Sequence, residues 1–195
     1  MNSSYNASYP PKVFIDTTVL CGALRQDGIN RKILKAARFP HLYVPVVSKV
    51  CLFEFVRNAA KGLGQGSSRV EYTHDEIEGF LHEFLLPIFQ HYNDLPVNSK
   101  VGRYSVETIM RENLPIGEVL VELSECSLDT AREIIASQEM AEPLNKFNQA
   151  DFHVWVTAIQ RDCDYIMTAN HRRFPSKIRK IQRIHPHDFC TRYLE

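Results

Sequence analysis

Three acidic residues lie next to apolar runs of the sequence, where charged side chains are uncommon. Asp16 ends the run VFI, Glu54 lies inside CLFEFV, and Asp151 opens the pattern DFHVWVTAI. A buried carboxylate costs free energy unless a partner group or a metal ion stabilises it. Carboxylate oxygens are typical ligands of hard cations such as Mg²⁺. If the three acids meet in space, they therefore indicate a metal site.

Each acid also has an ordinary structural interpretation. Asp16 could cap the helix that follows it, because Asp is a favoured N-cap residue. Asp151 could do the same, or favour the positive end of its helix dipole. Glu54 could face solvent on a helix whose other sides are buried. Taken one at a time, the structural interpretations are the better ones, so the metal site depends on the joint positions of the acids.

The first third of the chain alternates between strand and helix patterns. Residues 13–16 and 42–47 are short apolar runs that are typical of buried strands. A helix should follow the first strand directly, with a break at Asp27–Gly28 and a renewed helix from residue 31 to residue 37. Ser48 is placed as the N-cap of a further helix that stops at Gly62.

The last quarter returns to the same alternation, with a helix at 150–161 and strands at 165–168 and 181–184. Strands separated by helices predict an α/β fold with a mostly parallel central sheet flanked by helices. Ligands of such sheets bind at the carboxyl ends of the strands. Asp16, Thr168 and Asn170 are therefore expected at one edge of the sheet.

Residues 62–147 have a different pattern, with apolar residues recurring at three and four positions as in amphipathic helices. We predict a single domain over residues 12–195 in which 62–147 is a mainly helical insertion. Residues 1–11 have no apolar core and are predicted to form a flexible lead.

Composition excludes several classes of protein. No stretch approaches the ~18 consecutive apolar residues of a membrane span, so no membrane partner is expected. The five cysteines are scattered, odd in number and without a CxxC pair, which argues against a disulfide framework or a zinc site. That cysteine usage fits a reducing environment, and we expect a cytoplasmic protein.

The net charge is zero, but the charges are unevenly distributed. Residues 71–142 contain fifteen Asp or Glu and four Lys or Arg, whereas residues 165–187 contain six Lys or Arg, three His and no acid. The basic stretch could be a polyanion-binding edge or an ordinary solvated loop. Its candidates for contacts with nucleic-acid phosphates are Arg172, Arg173 and Lys177.

Four motifs in order resemble those of the PIN-domain nucleases, most closely the bacterial ribonuclease toxins. They are Asp16-Thr17-Thr18-Val19-Leu20 after the first strand, Glu54 after a Ser48 cap, Asp151 opening DFHVWVTAI, and Thr168-Ala169-Asn170 followed by HRRFP. The resemblance covers roughly residues 12–62 and 148–190. Thr18 replaces the usual Asn of the first motif, and Asn170 stands where many members have a fourth carboxylate.

The resemblance implies an endoribonuclease that hydrolyses phosphodiesters of single-stranded RNA with Mg²⁺ or Mn²⁺. Asp16, Glu54 and Asp151 would hold the metal, with Asn170 as the fourth catalytic residue. Thr17 and Thr168 would orient the carboxylates. His153, two positions after Asp151, is expected to point away from the metal. Possible partners are an antitoxin protein and a second copy of the chain.

Two other functions fit part of the pattern. A PIN-like scaffold with weak or no catalysis could bind RNA or a protein partner, because Thr18 and Asn170 are both neutral. A receiver-like signalling domain also gathers acids at strand ends, but it needs an acid pair beside the first strand and a Lys closing a later one. The first strand here offers only Asp16, and the later strand ends in TAN.

Overall fold

The computed structural model describes residues 9–89, 100–124 and 126–195, so most of the predicted N-terminal lead lies outside the described residues. The strands are β1 (Lys12–Ile15), β2 (Val44–Val46), β3 (Lys100–Val101), β4 (Tyr104–Ser105), β5 (Tyr165–Met167), β6 (Lys177–Ile178) and β7 (Ile181–Ile184). The helices are α1 (Thr17–Arg25), α2 (Ile29–Ala36), α3 (Lys49–Lys61), α4 (His74–Phe80), α5 (Leu86–Phe89), α6 (Val106–Arg111), α7 (Ile116–Ser124), α8 (Leu128–Ala136), α9 (Phe152–Gln160) and α10 (Pro186–Tyr193).

A five-stranded sheet in the order β2-β1-β5-β7-β6 forms the centre of the fold. β1 pairs in parallel with both β2 and β5, and β5 pairs in parallel with β7. Only the edge strand β6 is antiparallel to its neighbour within this sheet. The prediction of an α/β fold with a mostly parallel central sheet flanked by helices is confirmed.

The side chains of β1 alternate between the two faces of the sheet, as the pleat of a strand requires. Val13 and Ile15 belong to the larger apolar cluster, which α1, α2 and α3 share with α10. Phe14 belongs to the second cluster, with Trp155 of α9. All three side chains are fully buried. The run VFI is thus apolar throughout because helices cover both faces of its strand.

The ends of α3 follow from their sequence. The Ser48 side chain accepts a hydrogen bond from the Cys51 N–H over 3.1 Å, as an N-cap does. At the other end Gly62 has a φ of 102°, a conformation that side-chain-bearing residues rarely adopt. Both predicted ends of this helix are confirmed, and they place Glu54 in its second turn.

The segment between α3 and α9 contains α4 to α8. α4 and α5 are joined by a π-helical stretch at Leu81–Leu85, and β3 and β4 form a short antiparallel pair that the sequence analysis did not predict. Residues 90–99 and 125 of the predicted helical insertion lie outside the described residues. Within the described ranges, no helix is long and apolar enough to cross a membrane.

Candidate functional site

Asp16 lies immediately after β1, at the carboxyl edge of the sheet, and is 6% exposed. Its backbone N–H donates to the Met167 carbonyl of the neighbouring strand over 3.0 Å. Its side chain caps α1, accepting from the Thr18 N–H at 3.4 Å and from the Thr18 hydroxyl at 2.7 Å. The helix-cap interpretation of Asp16 is therefore correct, but the cap uses only Oδ2.

The two threonines of the first motif and Thr168 connect the acids. The Thr168 hydroxyl, fully buried after β5, donates to Asp16 Oδ2 over 2.8 Å. The Thr17 hydroxyl donates to Glu54 Oε2 over 2.9 Å. Each hydroxyl fixes one carboxylate and leaves its second oxygen, Asp16 Oδ1 or Glu54 Oε1, without a hydrogen bond from the described residues.

Glu54 reaches the same region from α3 and keeps 22% of its side-chain surface exposed. The pKa of its carboxyl is raised from 4.5 to about 7, mainly by burial, with smaller contributions from the Asp16 and Asp151 carboxylates, while the Thr17 hydrogen bond and the charge of Arg57 lower it. The negative charge of Glu54 is therefore costly in this protein.

Asp151 precedes α9 and is 6% exposed. Its backbone already has helical dihedral angles and its side chain makes no capping hydrogen bond, so the cap interpretation does not apply here. Oδ1 accepts from Arg173 Nη1 at 3.2 Å, whereas the buried Oδ2 has no hydrogen-bond partner. Burial raises the pKa of Asp151, Arg173 opposes that rise, and Asp16 adds to it.

Asp16, Glu54 and Asp151, the acid cluster, thus come from three separate elements and interact electrostatically with one another. Their oxygen donors suit a hard cation, and the unpartnered Asp151 Oδ2 is a donor available to one. As arranged, however, no three Asp, Glu, His or Cys side chains in the described ranges converge closely enough to hold a metal ion. The carboxylate oxygens are thus suitable ligands for a divalent metal, but the three side chains would have to move closer together, or act through water, to hold it.

Asn170 joins the cluster through its backbone. Its N–H donates to the Thr168 hydroxyl over 3.0 Å, and its carbonyl accepts from the Arg173 N–H at 3.2 Å. Its side chain forms no hydrogen bond within the described residues. Asn170 therefore holds the end of β5 and the following turn, whereas a direct role of its amide remains a prediction.

The expectation that His153 points away from the cluster is wrong, because its Nε2 lies 3.9 Å from Glu54 Oε1. The ring is buried and neither nitrogen has a hydrogen-bond partner. Burial lowers the pKa of His153 from 6.5 to about 4. Between pH 4 and 7 both side chains are thus mainly neutral, so their proximity is not an ion pair. On a regular helix, side chains two positions apart point in nearly opposite directions, but Asp151 belongs to the 3-10 turn before α9, so its direction does not predict that of His153.

The predicted phosphate-binding residues occupy different parts of the sheet. Arg172 and Arg173 are exposed on the turn after β5, at the edge that carries Asp16. Lys177 is level with Gln182 and Tyr165, at the opposite end of β5, in a strand three positions from β1. The fold therefore brings Arg173 to the acid cluster and Arg172 to the same turn, whereas Lys177 lies at the other end of the sheet.

Comparison of the chain with protein-family models, with curated proteins and with solved structures gives no match in any of the three.

Proposed function

We propose that this protein is a PIN-type endoribonuclease that hydrolyses phosphodiester bonds of single-stranded RNA with the help of Mg²⁺ or Mn²⁺. The observation that carries the proposal is the acid cluster: burial raises the pKa of Glu54 and of Asp151, and the neighbouring carboxylates (Asp16 and Asp151 for Glu54, Asp16 for Asp151) add to each rise. Such an arrangement is unfavourable for stability, and perturbed carboxylates of this kind are concentrated at functional sites. The order of the four sequence motifs along the chain supports the same assignment.

Asp16, Glu54 and Asp151 are the proposed metal-holding residues. When bound, a divalent cation would screen the carboxylates, bind the phosphate and make a bound water more acidic. Because the three side chains do not converge closely, some of them would act through water, which Mg²⁺ readily retains. Asp16 Oδ1, Glu54 Oε1 and Asp151 Oδ2 accept no hydrogen bond from the described residues.

The remaining residues would prepare these carboxylates. Thr168 holds Asp16 and Thr17 holds Glu54, so that each carboxylate keeps one orientation. Arg172 and Arg173, on the same edge, would bind phosphates of the RNA backbone, whose affinity would then fall with rising salt. A single strand is the proposed substrate because the family resemblance implies it.

The test is cleavage of an end-labelled single-stranded RNA with Mn²⁺, with Mg²⁺ and with EDTA, followed by analysis of the fragment ends. The proposal predicts cleavage with either metal, none with EDTA, and fragments with 5′-phosphate and 3′-hydroxyl ends. Cleavage that persists in EDTA would contradict it.

A non-catalytic scaffold is the second candidate, and it is supported by the finding that no three His, Cys, Asp or Glu side chains among the described residues converge to hold a metal ion. Calorimetric titration with Mn²⁺ separates the two functions. The nuclease should bind the ion at the acid cluster and lose binding in Asp151→Asn, whereas a scaffold that binds RNA or protein needs no such binding. If the protein is a toxin, an antitoxin would be expected to block both the titration and cleavage.

A further inference from the structure

Arg173 is the only cation that the described residues place in direct contact with the acid cluster. Its Nη1 lies 3.2 Å from Asp151 Oδ1. The two side chains differ sharply in exposure, since 58% of the Arg173 side chain is accessible and only 8% of that of Asp151. The pair therefore joins a buried carboxylate to a guanidinium that lies mostly in solvent.

The backbone around Arg173 is held in place. Phe174 is 1% exposed and packs against Trp155, with ring centroids 6.3 Å apart. The Arg183 guanidinium donates to the Phe174 carbonyl over 2.5 Å and also to the His171 carbonyl. Because both ends of the turn are fixed, a change at Arg173 would involve its flexible side chain and not the loop.

A guanidinium carries five N–H donors, and the ion pair with Asp151 uses one of them. An arginine in this position competes with any divalent cation for Asp151, since both neutralise the same carboxylate. It is also well suited to phosphate, which arginine binds in a bidentate geometry. Arg173 uses Oδ1 and leaves Oδ2 free, so the competition is electrostatic: a divalent cation at Asp151 repels the guanidinium and weakens the ion pair, while the released arginine has a second anion available.

We propose that Arg173 is an exchangeable internal counter-ion: it pairs with Asp151 until a divalent cation displaces it, and the released guanidinium then binds a phosphate of the RNA strand. This inference rests on the proposed function. Arg173 would lower the affinity for the metal ion, because it competes for Asp151, and would raise the affinity for RNA once it is released. Cation binding and RNA binding would be coupled through this side chain.

The experiment compares Arg173→Gln with the matched control Arg132→Gln, whose side chain is exposed on α8 and has no partner among the described residues. Calorimetry measures Mn²⁺ affinity without RNA, and fluorescence anisotropy measures the affinity for a labelled single-stranded RNA in EDTA and in Ca²⁺. Circular dichroism checks that both variants are folded.

Loss of the competing ion pair should raise Mn²⁺ affinity in Arg173→Gln by roughly two- to tenfold, whereas Arg132→Gln should leave it unchanged. In Ca²⁺, Arg173→Gln should weaken RNA binding and reduce its salt slope by about one. In EDTA its RNA affinity should stay close to that of the wild type, because Arg173 is then held by Asp151.

An unchanged or lower Mn²⁺ affinity in Arg173→Gln would overturn the exchange and leave the proposed nuclease intact. An equal loss of RNA affinity in EDTA and in Ca²⁺ would do the same, since it would describe an ordinary phosphate contact. If the wild-type protein binds no Mn²⁺, the proposed function fails and the exchange fails with it.

Discussion

The Thr168 hydroxyl donates a 2.8 Å hydrogen bond to Asp16 Oδ2, joining two residues that are 152 positions apart in the sequence. The bond is buried and lies where β1 and β5 end side by side. It holds the Asp16 carboxylate, the first of the proposed metal ligands, in one orientation. Because both residues close parallel neighbouring strands, the order of the sheet determines this contact.

Thr168→Val should lower both stability and the proposed activity. The substitution keeps the shape of the side chain but removes a donor from the buried Asp16 carboxylate, which costs about 1–3 kcal/mol of unfolding free energy. Urea denaturation measures the loss. Thr157→Val is the control, because the Thr157 hydroxyl donates only to the His153 carbonyl within α9. A loss in Thr168→Val no larger than in the control would show that the bond contributes little.

Glu54→Gln should stabilise the metal-free protein at high pH. The pKa of Glu54 is about 7 in the folded state against 4.5 for an unperturbed carboxyl, so the folded state binds more protons in this range. Stability then falls as pH rises from 4.5 to 7, by on the order of 3 kcal/mol. Glutamine does not titrate and can still accept the Thr17 hydrogen bond.

Urea denaturation in EDTA at pH 5 and at pH 8 checks this prediction, with the exposed Glu112→Gln as the control. The advantage of Glu54→Gln over the wild type should be larger at pH 8. An advantage of the same size at both pH values would mean that Glu54 is not held in an unfavourable charged state.

His153→Phe should make the protein less sensitive to acid. The pKa of His153 is lowered from 6.5 to about 4, so the unfolded state binds the proton first and stability is lost as pH falls through that window. Phenylalanine removes this titration from a buried position. Acid unfolding followed by circular dichroism should show a lower midpoint pH than in the wild type. The same midpoint as that of the exposed control His187→Phe would contradict the prediction.

Between pH 4.5 and 6.5 these two groups act in opposite directions. Glu54 makes the folded state more stable as pH falls, and His153 makes it less stable. The pH profile of the wild type alone therefore has a shallow slope in this interval, and only the single variants separate the two contributions.

Ser48→Ala should destabilise the protein by about 1 kcal/mol, because the Ser48 side chain caps the helix that carries Glu54. Ser137→Ala is the matched control, since its hydroxyl donates only to the Ile134 carbonyl on an exposed helix end. Urea denaturation compares the two variants. A smaller loss for Ser48→Ala than for Ser137→Ala would show that this cap is unimportant.

Sequence patterns could predict the sheet because its strands carry strong local signals. The run VFI is apolar throughout because its strand is covered on both faces. The ends of α3 were predictable because Ser48 and Gly62 are typical residues of helix ends. The pair β3–β4 was missed because two-residue strands have no periodicity that a pattern can detect. The fold class was therefore predictable, while the short pairings were not.

The candidate site was predictable only in part. Strand ends gave the positions of Asp16 and Thr168, because parallel strands end at a common edge. The Arg173–Asp151 pair and the approach of His153 to Glu54 depend on side-chain directions after a turn and at a helix entry, which spacing does not encode. Lys177 lies away from Asp16 because a continuous basic stretch of sequence need not occupy one end of a sheet, and its role in RNA binding stays a prediction.

The most direct test of the central claim is the cleavage rate of Asp16→Asn on single-stranded RNA in Mn²⁺, measured beside Asp129→Asn. Both variants replace one carboxylate by an amide, but Asp129 is exposed on α8 and has no hydrogen bond or ion pair among the described residues. We expect the cleavage rate of Asp16→Asn to fall to that of the wild type in EDTA while the variant remains folded. Asp129→Asn should cleave as fast as the wild type. Wild-type cleavage by a folded Asp16→Asn would contradict the assignment of the acid cluster as the active site.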